Sequence, residues 1–346
     1  MTSKERWLAV LNREKPDRIP MDFWGTYEAT NKVMRHMGCG SDEEMFERLH
    51  VDKVVGVGPK YVGPPVPEGE DVFGCRFKGV NYGTGVYSEC VYHPLAQYET
   101  LDEIEAGYAW PSPDWYDHSD IPGQLAGRED RPIMGGGSEP FNAYNKLRGQ
   151  EQAFMDLILH PDIVHFCLDK LFDLAYESTR RIYEQIPGKV TFSYVAEDMG
   201  SQESLLFSPA QIHEFLIPRM KRMIDLAHQA GVLVFHHNDG AIAQILPAMV
   251  EAGIDILNPV QWRCKGMDRK SLKRDFGGKI IFHGGMDNQY TLAFGSVDEV
   301  RQEVRDNIDL LGRDGYILAP CHGLQAISPP ENIVAMYETG REYGEF

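Results

Sequence analysis

The chain has 346 residues, 42% of them hydrophobic, with 52 acidic against 34 basic side chains and a formal net charge of −18. That length and apolar content allow a large core, and the acidic balance argues against non-specific binding to nucleic acid or to an anionic membrane surface. Cys39, Cys75, Cys90, Cys167, Cys264 and Cys321 are scattered without a CxxC pair, which fits a reducing compartment better than a disulfide scaffold. Residues 1–7 are polar and no run approaches membrane-spanning length, so a soluble, cytoplasmic protein is expected.

A cap signal at Thr2-Ser3, followed by Trp7, Val10 and Leu11 at helical spacing, predicts a first helix that Pro16 ends. Residues 19–25 read as a first strand with a tolerable early proline, 42–49 as a helix and 51–57 as a second strand. Residues 58–131 then break the rhythm: Pro and Gly crowd 59–69, and 72–77 with 85–92 resemble an antiparallel hairpin looped at 79–84. This stretch has too few apolar residues for a core of its own and reads as an insertion covering one end of a single domain spanning 1–346. Afterwards strands are expected at 132–137, 190–196, 232–236, 254–258, 279–283 and 315–319. Helices are expected over 151–186 (interrupted at His160-Pro161-Asp162), 209–229, 241–252, 267–275, 297–311 and 330–343. Eight strands, with strict strand–helix alternation from the fourth onward, predict a (β/α)8 TIM barrel with a β-hairpin excursion after strand 2. An open doubly wound sheet is weakened by the lack of a Gly-x-Gly-x-x-Gly turn after the first strand.

In such a barrel the site lies at the carboxyl ends of the strands. Ionisable and polar residues gather there: Asp22, Glu139, Glu197, Asp198, His237, Asp239, Gln261, His283, Asp287 and His322. The stretch Val232-Leu233-Val234-Phe235-His236-His237-Asn238-Asp239-Gly240 is the plainest case, an apolar strand that ends in two histidines and a carboxylate. Spacing of two puts His237 and Asp239 on one side if the chain stays extended; which of His236 and His237 faces inward depends on register. Glu197, His237, Asp239 and His322 together make a nitrogen and oxygen set suited to zinc. Each also has a plainer reading: a lone histidine at a strand end is often hydrogen-bonded structure, and Glu197-Asp198 could cap a turn. Cys321, next to His322, should point the other way as a small buried hydrophobe.

The second half of the chain resembles the uroporphyrinogen decarboxylase superfamily of (β/α)8 barrels. The resemblance is carried by Ser208-Pro209 through Pro218-Arg219, by Phe235-His236-His237-Asn238-Asp239-Gly240, by residues 253–261, by Phe282-His283-Gly284-Gly285-Met286-Asp287, and by residues 317–324 with 329–333. It covers roughly residues 190–340. True decarboxylases share an arginine-rich first segment, Met-Arg-Gln-Ala-Gly-Arg, that grips the porphyrinogen's carboxylate arms. Here that place reads Ile19-Pro20-Met21-Asp22-Phe23-Trp24-Gly25-Thr26-Tyr27, which offers a carboxylate and aromatics where guanidinium would be needed. The cobamide-dependent methyltransferases of the superfamily bind zinc through His-x-Cys and a later Cys. Aligned without gaps, those positions fall on His237, Asp239 and His322.

The resemblance therefore implies a corrinoid-dependent methyltransferase. It would move a methyl group from a small O- or N-methylated compound to the cob(I)alamin of a partner corrinoid protein. Zinc would sit on His237, Asp239 and His322, with Glu197 as a fourth ligand, and Glu197 or Asp198 would serve as general acid. Asp22, Phe23, Trp24, Tyr27, Gln261, His283 and Asp287 are the expected substrate-binding residues. Nucleic acid and membrane are not expected partners, and a homodimer stays open. The alternatives are a metal-independent decarboxylase of a small carboxylic acid, with Asp22 or His322 moving protons, and a non-catalytic binding barrel.

Overall fold

The computed structural model describes residues 1–83 and 85–346. Seven strands form one parallel sheet in sequence order: β1 (Val55–Val57), β2 (Ile133–Ser138), β3 (Phe192–Ala196), β4 (Leu233–His237), β5 (Ile256–Val260), β6 (Ile281–Met286) and β7 (Tyr316–Pro320). Residues 19–25 close the curled sheet as its eighth stave. Met21 bridges Leu318 and Gly25 bridges Leu324, both in parallel. Asp22 N donates to Leu318 O at 2.9 Å, Leu318 N to Pro20 O at 3.0 Å and, on the other edge, Asp52 N to Met21 O at 2.7 Å. Pro20 has no N–H to give, so this stave makes isolated bridges rather than a full ladder. The expected (β/α)8 barrel is the fold.

Alternation along each strand sorts the core into two parts. Phe192, Phe235, Ile256, Ile281 and Ile317 point into the barrel together with Trp7 and Val10. Those last two come from helix α1 (Ser3–Leu11), whose Thr2 cap and Glu5 form a reciprocal capping box. The other strand face and the apolar stripes of the outer helices make the larger cluster, including Val195, Val234, Leu257, Phe282 and Leu318. Arg6 and Arg18 both pair with the buried Asp52, at 2.5 and 2.7 Å, tying α1 to the first two staves.

Several boundaries differ from the sequence reading. The second strand begins at Val55 rather than 51, because Asp52 is taken by Arg6, Arg18 and Met21 N. The strands expected at 254–258 and 279–283 lie later, at Ile256–Val260 and Ile281–Met286. Gly284 and Gly285, just beyond the expected strand end, continue the strand at φ of 105° and 85°, values that glycine adopts freely. Asn258 and His283 consequently sit inside their strands rather than at the ends. The helix expected at 209–229 contains a π-helical turn at Ile212–Leu216, just before Pro218, which cannot donate to the helix ladder.

Between β1 and β2 the chain makes an antiparallel ribbon, Arg76–Asn81 against Val86–Tyr92. Its first strand starts later than expected because the Asp71 carboxylate accepts from Phe73 N and Cys75 N, both at 2.9 Å, and turns the chain there. Gly79 belongs to the ribbon, paired with Ser88, and Thr84, in the expected loop, lies outside the described residues. Tyr82 Oη reaches Gln325 Oε1 at 3.1 Å, so the ribbon's tip meets the loop that follows β7. Among the described residues no helix is long and apolar enough to cross a membrane.

Candidate active site

His237 is the last residue of β4 and pairs in register with Ala196 of β3. The two residues beyond each strand end, Asp198 and Asp239, therefore emerge side by side at the barrel mouth. Asp239 N donates to Asp198 Oδ1 at 3.2 Å. Glycine makes this approach possible: a Cβ on Gly240, at φ +91°, would lie 2.5 Å from Gly200 C, and one on Gly200 would lie 2.6 Å from Asp239 O. The loops after β3 and β4 touch backbone to backbone at that point.

The outcome is a cluster of three ligand-bearing groups, Asp198, His237 and Asp239, with one ligand atom of each within 4.8 Å of the others. His237 Nε2 is 3.6 Å from Asp198 Oδ1 and 4.0 Å from Asp239 Oδ1. These spacings are too long for hydrogen bonds but suit groups that share a cation with ligand bonds of about 2.0–2.2 Å. Asp239 Oδ1 is buried and has no hydrogen-bond partner. An anionic oxygen removed from water without a donor is costly, and a divalent cation among these three side chains would satisfy it. The residues present fit such an ion.

The imidazole of His237 is held on every side. Its ring lies between those of Trp24 and Tyr194, at centroid distances of 5.8 and 5.7 Å and interplanar angles of 21° and 25°. Nδ1 faces Asn258 Oδ1 at 2.5 Å, which leaves Nε2 toward the two carboxylates. His236 points away, fully buried, with Nδ1 on Val195 O at 2.8 Å; burial holds it down, to about 4. Cys321 is likewise turned into the wall and donates to Val260 O at 3.2 Å.

The cluster opens into a cavity of about 1220 Å³, lined by Asp198, Asp239, Glu197, Gln261 and His322 among others. Of the expected ligands, His237 and Asp239 enter the cluster. His322 stands at its edge, Nε2 3.8 Å from Asp239 Oδ2. Glu197 does not join it: its Oε1 accepts from Phe141 N at 2.7 Å. Burial pushes the Glu197 carboxyl well up, with Glu139 and Asp198 adding to the rise against the backbone hydrogen bonds. Burial also raises Glu139, helped by Asp198, and raises Asp239 against the pull of His237 and His322.

Of the residues expected to bind substrate, most do not line this cavity. Gln261 does line the cavity and accepts from Gly240 N at 2.6 Å. Asp22 and His283 lie in the barrel interior, joined Oδ2 to Nε2 at 3.0 Å, because β6 runs past His283 to Met286. Phe23 packs on Phe46 and Tyr337, and Tyr27, 81% exposed, opens the following helix on the surface. Asp287 is buried beneath Arg263 and Thr291. Residues absent from the sequence reading supply the rest: Phe141, Asn145, Phe154, Arg263, Asn288 and Tyr290 line the cavity. Asn145 Oδ1 and Asn288 Oδ1 are buried there without partners. Asn145 and Phe154 lie on helices in the 140–159 region, where no strand-end signal marks them.

A (β/α)8 barrel carrying a histidine–carboxylate cluster at the carboxyl ends of its strands is the class that fold and site define. The family model "Uroporphyrinogen decarboxylase (URO-D)" matches residues 124–343, and the chain belongs to that family. Among curated relatives, chloroplastic uroporphyrinogen decarboxylase 2 of Oryza sativa subsp. japonica is 21% identical over 213 residues, 60% of this chain and 48% of that protein. Uroporphyrinogen decarboxylase of Synechocystis sp. is 26% identical over 192 residues, 53% of this chain and 49% of that protein. The chain thus spans about half the length of the curated relatives it matches. A solved methyltransferase from Methanosarcina mazei shares the fold at a TM-score of 0.71 and 20% identity, with 99% of each chain covered.

Proposed function

We propose that this protein is a methyltransferase that takes a methyl group from a small O- or N-methylated compound and passes it to the cobalamin of a partner corrinoid protein. Asp198, His237 and Asp239 would hold a zinc ion beside the substrate. The observation that carries this reading is Asp239 Oδ1, buried without a donor inside a three-ligand cluster at the barrel mouth. A protein of the same fold from Methanosarcina mazei is described as a methyltransferase, which supports the choice of chemistry.

In the proposed reaction the bond between the methyl carbon and the substrate's heteroatom breaks with the electron pair staying on the heteroatom, and the partner protein's cob(I)alamin would supply the pair for the new bond to the methyl group. A bound zinc ion would supply Lewis acidity to that heteroatom. Glu197, whose carboxyl burial pushes well up and which lines the same cavity, would give the departing atom its proton. Trp24 and Tyr194 keep the His237 ring in plane, and Phe141, Phe154 and Tyr290 offer an apolar wall to the substrate body. Decarboxylation of a polycarboxylate fits less well. Glu197, Asp198, Glu203 and Asp239 face the cavity, and its Arg263 is paired with Asp287, so no free guanidinium among the described lining residues awaits a carboxylate.

The test combines metal analysis of protein purified without chelator with spectroscopy of a reduced corrinoid protein, against a panel of methyl ethers and methylamines. Near-stoichiometric zinc, methylcobalamin formation with at least one donor, and loss of both in Asp239→Asn are expected. Well-folded protein that takes up no zinc, and loses CO2 from candidate acids in the presence of chelator, would overturn the proposal.

A further inference from the structure

The His237 side chain that the proposed function places on the metal is the end of a longer polar chain. His237 Nδ1 faces Asn258 Oδ1 at 2.5 Å. Asn258 Nδ2 faces His283 Nδ1 at 2.7 Å, and His283 Nε2 faces Asp22 Oδ2 at 3.0 Å. Asp22 is further held by Trp24 Nε1 on Oδ2 at 2.8 Å and by Phe23 N on Oδ1 at 2.9 Å. All four residues are buried. The chain crosses the barrel interior from β4 through β5 and β6 to the closing stave, among the rings of Trp7, Trp24 and Phe235, each within 6.0 Å of His283.

Donor and acceptor roles along this chain are linked. Two N–H groups, Trp24 Nε1 and Phe23 N, and the ring nitrogen His283 Nε2 aim at the Asp22 carboxylate, which as an anion only accepts. His283 therefore carries a proton on Nε2, and the Asn258 Nδ2 turned to its Nδ1 makes that other nitrogen the acceptor. Asn258 must meet that nitrogen with its NH2 group and so turns its oxygen to His237. An amide oxygen only accepts, which fixes the His237 proton on Nδ1 and leaves the Nε2 lone pair facing Asp198 and Asp239. Each group's choice follows from the one before it, and the sense of the whole chain is set by the single charge at Asp22.

We propose that Asp22, His283 and Asn258 are positioning residues that set the tautomer of His237 from across the barrel, so that its Nε2 is free to bind a cation. The inference rests on the metal reading above for its purpose but not for its geometry. It makes an uncommon demand of Asp22, which touches neither the cavity nor the cluster. With Asp22→Asn the end of the chain can either donate or accept. His283 and the Asn258 amide are then free to reverse together, which moves the His237 proton onto Nε2 and blocks it as a ligand.

Long-range 1H–15N correlation spectra of histidine-labelled, metal-free protein read the tautomer directly, and a chromogenic chelator competed against zinc reads the affinity. Wild type should show His237 protonated on Nδ1. Asp22→Asn should show a mixture or reversal and a zinc affinity lower by about 10-fold or more, within the 10–100-fold range of outer-shell changes. Asn258→Leu should lose a comparable amount, and adding Asp22→Asn to it should cost nothing further because the chain is already cut. A His237 proton on Nε2 in wild type overturns the relay, and so does Asp22→Asn with unchanged tautomer and affinity, or additive losses in the double variant. If a variant fails to fold, the wild-type tautomer alone decides. Wild-type protein with the proton on Nδ1 but no zinc binding would keep the relay and remove the metal reading instead.

Discussion

Gly240→Ala tests whether the meeting of two loops creates the cluster. Gly240 sits at φ +91°, and a Cβ there would lie 2.5 Å from Gly200 C and 2.6 Å from both Gly200 O and Ser201 O. These are backbone atoms, which cannot swing aside as a side-chain tip can. A left-handed conformation at a non-glycine residue costs about 1–2 kcal/mol, and forcing an extra carbon into a packed contact costs about 1–3 kcal/mol. If the loops hold, the variant should be less stable by about 2–5 kcal/mol, seen as a lower urea midpoint at unchanged m-value. If instead the loops part to relieve the contact, Asp198 and Asp239 separate, and zinc affinity falls while stability is partly recovered. A variant within about 0.5 kcal/mol of wild type that also bound zinc normally would refute the claim that this contact builds the site.

Glu197→Gln keeps the bond from Phe141 N while removing the ionisation. Because burial raises the Glu197 carboxyl in the folded protein, its contribution to stability is fully present below the unfolded value of about 4.3 and is lost as pH rises through the folded value. The variant should lack that loss in urea titrations across pH, and any activity should lose the limb that falls with rising pH; a wild-type pH profile in the variant would rule Glu197 out as the acid. Arg148→Ala should destabilise the protein by about 3–5 kcal/mol, since the fully buried Asp156 loses its 2.7 Å partner and the carbonyls of Leu95 and Tyr98 lose a donor. Its zinc affinity should match wild type, and a urea-unfolding change below about 1 kcal/mol would show the pair to be dispensable.

The barrel was legible because its strands announce themselves. Apolar runs such as Val232–Phe235 end in turn residues, and helical stripes fill the gaps between them. His237 and Asp239 were legible for the same reason, as polar residues closing a buried strand. Asp198 reads from the sequence as a catalytic group, not as a member of the cluster. Its place beside Asp239 depends on the register Ala196 to His237 and on the Gly200–Gly240 contact, and neither is a property of any one segment. Glu197 and Asp198 are neighbours in sequence, yet one turns to Phe141 N and the other to the mouth, as alternation along an extended chain requires.

The depth of His283 in the barrel has a single physical source. Gly284-Gly285 has the composition of a turn, which puts His283 at a strand end and hence at the mouth. Glycine's freedom at positive φ lets β6 continue instead, and three more residues of strand carry His283 down into the barrel. At that depth a lone imidazole would be an unsatisfied polar group at a cost of about 1–3 kcal/mol, so it must have partners, and the parallel register supplies Asn258 on one side while the closing stave supplies Asp22 on the other. Asn258 in turn carries the chain to His237, its neighbour across β4 and β5. The residues expected to touch substrate thus become the buried support of the proposed metal ligand. A polar residue at the end of an apolar strand reports that a site is near; how many residues of strand follow it decides whether it faces the substrate or stands behind the residue that does.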